Sequence, residues 1–195
     1  MKCCKFYKEI MYIEVKIPFD EDRQLAMAYN RALQEGKSEW VLFLDHDVFL
    51  CNPRWYNMCL KAIDTLSVDP KAACITCESG GRWSKATEKS KRRSPKNSDI
   101  EYHIEKSKEY YYKYGNMVHS RDKHATGFFM LLKREIAQEI GFNQVDKSIN
   151  NIDIDFGDRL LEAGYHIYIM KGLYVYHRRS MRFLRGDFKI QGNTT

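Results

Sequence analysis

The stretch Trp40-Val-Leu-Phe-Leu-Asp-His-Asp-Val48 decides the fold. Its four apolar residues before Asp45 do not alternate with polar ones, which is typical of a strand covered on both faces of a sheet. In open α/β sheets, ligands bind where strands end. Asp45 and Asp47 should point to the same side of an extended backbone, where two hard oxygen ligands suit Mg²⁺ or Mn²⁺ carrying a diphosphate. A strand followed by an Asp-rich turn explains the same residues.

The length and composition are those of one globular domain covering residues 1–195. The chain is 44% hydrophobic and 13% aromatic. Its apolar runs are shorter than the roughly 18 residues that cross a membrane. Residues 1–9 are charged and lack the apolar centre of a signal peptide. Six cysteines without a signal suggest reduced thiols, so we expect a cytoplasmic location.

Cys74 and Cys77 form a C-x-x-C motif inside a predicted strand. Strand alternation would place the two thiols on opposite faces, which suits neither a zinc site nor a redox pair. We therefore interpret them as structural cysteines.

The net charge of +6 is unevenly distributed. Residues 81–96 contain seven basic residues and one acidic residue, and five more basic residues follow His177. We expect a basic loop over residues 79–99 and a basic C-terminal tail over 178–195, because both segments are polar and aperiodic. Basic patches attract phosphates of nucleotides, nucleic acids or lipid headgroups.

The order of predicted elements favours a layered α/β sheet, mostly parallel, with helices on both faces. Asp22 and Asn52-Pro53 have the pattern of helix starts, and Gly36 that of a helix end. The predicted strands cover 12–17, 40–45, 72–78, 125–132, 165–170 and 173–176. The predicted helices cover 22–35, 53–67, 100–114, 133–140 and 152–163.

Three sites with acidic or imidazole groups share one arrangement at the ends of these elements. They are Asp45-His-Asp47 after a strand, Asp153-Ile-Asp155 at a helix start, and His177 after the last strand. Each has an ordinary explanation. An acidic residue interacts favourably with a helix N-terminus, and a histidine at a strand end is often a surface residue.

The order and spacing of these sites resemble the family 2 glycosyltransferases of the GT-A fold, over about residues 20–178. The matching segments are Asn30, Asp45-His-Asp47, Gly127-Phe128, Arg134-Glu135, Gly141-Phe142, Asp153-Ile-Asp155, Arg159-Leu160, Ala163-Gly-Tyr165 and Val175-Tyr-His177. The resemblance implies a Rossmann-like GT-A sheet. It also implies an enzyme that moves a sugar from a nucleotide-diphospho-sugar to an acceptor hydroxyl, with inversion.

By this resemblance, Asp45 lies near the donor ribose and the metal, while Asp47 and His177 bind the metal. Asp153 matches the catalytic base. A Mn²⁺ or Mg²⁺ ion would neutralise the leaving diphosphate as a Lewis acid. The base would remove the acceptor hydroxyl proton.

The remaining predicted contacts divide between donor and acceptor. Asn30 and Asp22 are predicted to bind the donor, and the acceptor contacts are predicted at Gly127, Asp155, Trp83 and Arg92. We expect a glycan, lipid-linked or protein acceptor and no nucleic acid. The basic segments leave open a peripheral association with a membrane.

Three departures from the family pattern keep other interpretations open. Ile152 replaces an acidic residue before the base, and Tyr29 replaces a basic residue common in the family. Residues 1–20 are a shortened nucleotide-binding start, so either residues 6–22 hold the base or the chain is a truncated or non-catalytic binding protein. A nucleic-acid-binding module would rest on charge alone, without a motif. The Asp-x-Asp pattern does not exclude a retaining transferase.

Overall fold

A mixed sheet organises the computed structural model, which describes residues 12–80, 99–121, 125–144 and 151–178. Its seven strands within these ranges are β1 Ile13–Lys16, β2 Trp40–Leu44, β3 Val48–Phe49, β4 Ala72–Gly80, β5 Val118–Ser120, β6 Phe129–Lys133 and β7 His166–His177. The helices there are α1 Leu25–Glu35, α2 Trp55–Leu66, α3 Ile100–Tyr114, α4 Arg134–Ile140 and α5 Ile152–Glu162. The predicted contacts Trp83 and Arg92 lie outside the described residues, as does most of the predicted basic loop and tail.

The strand order is β1-β2-β6-β4-β7-β3, and β5 also pairs with β7. The pairs β1–β2 and β4–β7 are parallel, whereas β6 is antiparallel to both β2 and β4. Consequently β1, β2, β4 and β7 all run in one direction. The predicted α/β class with mostly parallel core strands is confirmed. The carboxyl ends of β2, β4 and β7 open at one edge, which we call the carboxyl edge of the sheet.

Both faces of the sheet are buried. One face packs against α2 through residues such as Met58 and Ile63. The other packs against α1, α4 and α5 through Leu33, Ile136 and Phe156. Every residue of β2 is buried, as its unbroken apolar run predicts. Burial of each large apolar side chain contributes about 1.5–3 kcal/mol.

Cys74 and Cys77 are both buried in β4 and belong to cores on opposite faces of the sheet. Burial raises the pKa of the Cys74 thiol to about 12. The interpretation as structural cysteines agrees with this arrangement, because a protonated, enclosed thiol is a poor nucleophile and a poor metal ligand.

The prediction of two final strands is wrong, because β7 is one strand of 12 residues. Its pairing with β4 jumps from Cys77↔Met170 to Glu78↔Tyr174, so three residues bulge between the two registers. Gly172 lies in the bulge, and a Cβ there would collide with the Gly115 carbonyl oxygen. The apparent break in the sequence is therefore a bulge.

Two predicted helix starts are also displaced. Asp22 is not the N-cap of α1: Gln24 takes that position, and Asp20 Oδ1 accepts the N–H groups of Asp22 and Gln24. Asn52 likewise lies ahead of the N-cap Arg54, whose N–H it accepts at 2.9 Å. In both places a side chain accepts backbone N–H groups of the preceding turn, and the helix begins two or three residues later than predicted.

Strand β6 begins at Phe129 and not at Ala125, because residues 125–128 carry turns instead of ladder pairs. The Phe128 carbonyl accepts the Asp45 N–H at 3.2 Å. This turn therefore lies against the end of β2, at the carboxyl edge.

Arg134 is a buried cation at the start of α4 and links four parts of the chain. Its Nε donates to Ser38 O at 2.6 Å, and Nη1 donates to Leu33 O at 2.7 Å, near the end of α1. Its Nη2 pairs with the Glu14 carboxylate of β1. Burial alone would raise the pKa of Glu14, but Ser38 and Arg134 hold it below its ordinary value.

Gly36 ends α1 as predicted, although its φ of −83° is not left-handed. A Cβ on Gly36 would overlap the Arg134 guanidinium and the Glu14 carboxylate. Glycine is therefore required for the close approach of this ion pair and not for a turn.

We expect Arg134→Met to lower the free energy of unfolding by about 3 kcal/mol, because it strands a partly buried carboxylate and several carbonyls. Arg31→Met is the matched control, since Arg31 lies on the exposed face of the same α1 that Arg134 anchors. Urea unfolding followed by circular dichroism gives both values. Equal stability of the two variants would contradict a structural role for Arg134.

Candidate functional site

Asp45, Asp47 and His177 converge at the carboxyl edge of the sheet. One ligand atom from each lies within 4.8 Å of the others. His177 Nε2 is 3.0 Å from Asp47 Oδ1 and 3.2 Å from Asp45 Oδ2. We call these three side chains the Asp-Asp-His cluster. The proximity expected from the sequence is observed.

Strand pairing brings the three side chains together. The sequence predicts an extended backbone for Asp45 to Asp47, but the structure has a turn there. Asp45 to Asp47 form a turn, closed by the Val48 N–H on Asp45 O at 3.2 Å. The short β3 then pairs antiparallel with β7, which sets Val48 opposite His177. The Arg178 N–H donates to Asp47 O at 2.9 Å and continues this pairing.

The cluster balances one imidazole against two carboxylates. Burial alone would lower the pKa of His177, but hydrogen bonds and charges from Asp45 and Asp47 raise it. Burial alone would raise the pKa of Asp47, but His177 holds it below its ordinary value. The side chains of His177 and Asp47 are 6% and 9% exposed, and that of Asp45 is 25% exposed. Asp45 therefore lies on the open side.

The donor set of the cluster suits a divalent cation. Two carboxylate oxygens and one imidazole nitrogen are ligands that such ions accept, and the spacing requires little movement. Three protein ligands leave room for phosphate oxygens and water in a six-coordinate shell. The residues therefore fit the Mn²⁺ or Mg²⁺ expected from the sequence.

Asp153 lies in the first turn of α5 and is held in place by the turn before β6. Its Oδ2 accepts the Gly127 N–H at 2.7 Å. A Cβ on Gly127 would lie 3.1 Å from this oxygen, closer than most real contacts. The structure thus connects Gly127 to the candidate base. The contact between Gly127 and the acceptor stays a prediction.

Tyr29 is a buried residue on which the charges of both Asp45 and Asp153 act. Sequence reasoning did not identify it as a site residue. Burial raises its pKa first, followed by the charges of Asp45 and Asp153. The turn of Gly127 and Phe128 links these two residues directly: the Phe128 carbonyl accepts the Asp45 N–H at 3.2 Å, and the Gly127 N–H donates to Asp153 Oδ2 at 2.7 Å. The cluster and the candidate base therefore lie at the same part of the carboxyl edge.

The structure gives the predicted donor contacts different surroundings. Asn30 donates from Nδ2 to Phe142 O at 2.9 Å and accepts the Phe142 N–H at 2.8 Å. Both ends of its amide therefore hold the turn after α4. Asp22 is exposed before α1, and its N–H donates to Asp20. A donor role for Asn30 and Asp22 stays a prediction.

The Asp155 carboxylate forms an ion pair with Arg159. Its Oδ2 accepts from Arg159 Nε at 2.9 Å and from Nη2 at 2.7 Å. Arg159 also donates to Ile140 O and Gly141 O, so it caps the end of α4. The pair therefore joins α5 to α4. The acceptor contact predicted for Asp155 stays a prediction.

The mixed α/β fold and the Asp-Asp-His cluster at its carboxyl edge agree with the family that the sequence matches. Residues 4–141 match the model of glycosyl transferase family 2. This match covers well over half of the chain, which therefore belongs to that family. The mixed α/β sheet with helices on both faces agrees with the Rossmann-like GT-A fold expected from the family resemblance. Asp153 and His177 lie beyond the matched residues.

Solved structures that match include the mannosyltransferase PcManGT from Pyrobaculum calidifontis in complex with GDP-Man and Mn2+. The two share 19% identity with a TM-score of 0.48, over 84% of this chain and 39% of the other. The chain thus spans about two fifths of the length of that structure. No curated protein matches the sequence significantly. None of the described helices is long and apolar enough to cross a membrane.

In the metal-free protein, we expect the His177 imidazole to titrate above the usual value of about 6.5. Asp47→Asn should lower this pKa, because it removes one of two carboxylates that favour the protonated ring while burial still opposes it. NMR titration in the presence of a chelator measures the value. Asp64→Asn, on the exposed face of α2, is the control. An unchanged His177 pKa in Asp47→Asn would contradict the arrangement of the cluster.

Proposed function

We propose that the chain is a glycosyltransferase that moves a sugar from a nucleotide-diphospho-sugar to an acceptor hydroxyl. It uses a divalent cation and inverts the configuration at the transferred carbon. One observation carries the proposal: neighbouring residues of one turn contact both parts of the site, since the Phe128 carbonyl accepts the Asp45 N–H at 3.2 Å and the Gly127 N–H donates to Asp153 Oδ2 at 2.7 Å. A cation site and a base thus lie side by side in a family 2 chain.

The cluster is the candidate site for the donor diphosphate. Asp47 and His177 would hold the cation, and the more exposed Asp45 would contact the cation or the donor ribose. When bound, the Mn²⁺ or Mg²⁺ ion offsets the charge that develops on the leaving diphosphate. His177 would give up its proton on binding the ion, since only the neutral ring coordinates metal.

Asp153 is the candidate general base. The Gly127 N–H occupies Oδ2 and fixes the direction of the carboxylate, which leaves Oδ1 for the acceptor hydroxyl. Inversion requires the acceptor to attack from the side opposite the leaving group. The turn of Gly127 and Phe128 supports this arrangement, because it bonds both the Asp153 carboxylate and the Asp45 backbone and so keeps the base near the cluster.

Several predictions from the sequence remain part of the proposal. They are a single domain over residues 1–195, a basic loop over 79–99 and a basic segment over 178–195. A glycan, lipid-linked or protein acceptor, a cytoplasmic location and peripheral membrane association through the basic segments belong here as well. The basic segments supply positive charge that suits an anionic acceptor.

We expect nucleoside diphosphate binding to require a divalent cation and to weaken at least about tenfold in Asp47→Ala, because a candidate ligand of the cation is lost. Calorimetry with UDP, GDP, dTDP and CDP, each with Mn²⁺ or with chelator, measures this. Asp64→Ala on α2 is the control. Equal affinity with Mn²⁺ and with chelator would remove the cation from the proposal.

We expect Asp153→Asn to lower turnover by about 10²–10⁴-fold and to leave donor binding nearly unchanged, because the base acts on the acceptor proton. Glu162→Gln, on the exposed end of the same α5, is the control. Turnover of nucleotide-sugars and the anomeric configuration of the product are the measurements. Full activity of Asp153→Asn contradicts the assignment. Donor binding without turnover by the unmodified chain supports a non-catalytic binding protein instead.

A further inference from the structure

His103 is a buried histidine of α3 that the proposed reaction does not use. The residue is 2% exposed, and its Nδ1 is hydrogen-bonded to the Tyr174 hydroxyl at 2.7 Å. Its ring also stacks on that of Tyr176, with centroids 3.9 Å apart and an angle of 11° between the planes. One side chain of α3 therefore holds two residues near the end of β7.

Gly80, at the end of β4, leaves the space for this contact. A Cβ on Gly80 would collide with the Tyr174 hydroxyl and would lie 3.1 Å from His103 Cε1. Gly80 also pairs with Tyr176 in the parallel ladder between β4 and β7. The ends of two strands and the start of one helix thus meet at a single hydrogen-bonded pair, which a larger residue in place of Gly80 would displace.

The contact of His103 is important for the docking of α3, because this helix buries few residues. The structure describes every residue of α3, and those that are buried are His103 and Ser107. Tyr110 adds a ring contact with Tyr174, at 5.1 Å between centroids. Since helices in proteins are stabilised mainly by packing, α3 depends on the hydrogen bond and the stack of His103 for its position.

The end of β7 that His103 holds also carries a candidate ligand of the cation. Tyr176 directly precedes His177, and both residues pair with β3. Because side chains alternate along a strand, His103 contacts the face of β7 opposite to the one from which His177 reaches Asp47. A shift of Tyr176 therefore moves the His177 imidazole relative to the carboxylates of the cluster.

We propose that His103 is a positioning residue that couples the docking of α3 to cation binding at the Asp-Asp-His cluster. This step rests on the proposed function, because it takes the cluster as the site of the divalent cation. With α3 docked, His103 holds Tyr176 and so fixes the position of His177. Coupling of this kind is reciprocal, so a bound cation in turn stabilises the docking of α3.

Tyr174→Phe tests the proposal, because it removes the hydroxyl that binds His103 and retains the ring. Calorimetry with Mn²⁺ alone should show about twofold to tenfold weaker binding, since the loss cannot exceed the free energy of one neutral hydrogen bond. Tyr112→Phe is the matched control, because Tyr112 is 94% exposed on α3, and it should bind Mn²⁺ as the unmodified chain does. Unchanged Mn²⁺ affinity in Tyr174→Phe would overturn the proposal and leave His103 a residue that only stabilises the fold.

Amide hydrogen exchange of the unmodified chain measures the reciprocal effect and does not depend on the folding of a variant. Followed by mass spectrometry, exchange in α3 should slow at least about twofold when saturating Mn²⁺ is added. Helix α1, which packs with α4 against the sheet, is the internal reference and should change less. Equal slowing in both helices, or no slowing in α3, would overturn the proposal.

The same data separate this inference from the proposed function. If the unmodified chain binds Mn²⁺ but either measurement shows no coupling to α3, only the role of His103 is wrong. If the unmodified chain does not bind Mn²⁺, the cation site itself is wrong, and the proposed function fails together with this inference.

Discussion

The pairing of β3 with β7 is the contact on which the site depends. Val48 lies opposite His177, and the Arg178 N–H donates to Asp47 O. These few backbone contacts bring a turn near residue 46 next to the end of a strand near residue 177. Without them the two carboxylates after β2 would lose His177 as a partner. The turn after β2 is a natural place for such a cluster, because β2 and β7 end at the same edge of the sheet.

Buried contacts of Phe142 join the elements that carry the rest of the site. Asn30 binds its backbone from α1, and its ring lies between Tyr29 and Phe156. Arg159 caps the preceding helix and is itself held by Asp155. A side chain in a packed interior moves little, so these contacts limit how far Asp153 can move relative to the cluster.

Charge compensation explains how several buried and partly buried ionisable groups are accommodated in the fold. His177 is shared by two carboxylates, the buried Arg134 is paired with Glu14, and Asp155 is paired with Arg159. An isolated buried charge would be costly, whereas each of these groups has an opposite charge within contact distance. Asp153 differs, because it is held by a backbone N–H and not by a cation. A carboxylate without a cationic partner is the kind that remains available for a proton transfer.

Local pattern determined much of this protein. The unbroken apolar run of β2, the bounds of α3, the opposite faces of Cys74 and Cys77, and the candidate carboxylate ligands Asp45 and Asp47 follow from periodicity and residue chemistry along the chain, whereas His177 was assigned by the family resemblance. Contacts between distant residues decided the rest. They turned Asp45 to Asp47 into a closed turn, merged two predicted strands into β7, and brought Asp153 and the Asp45 backbone to the same turn, at Gly127 and Phe128. Periodicity reports which face of an element is buried, but not which distant side chain packs against it, because register and packing are properties of the assembled sheet.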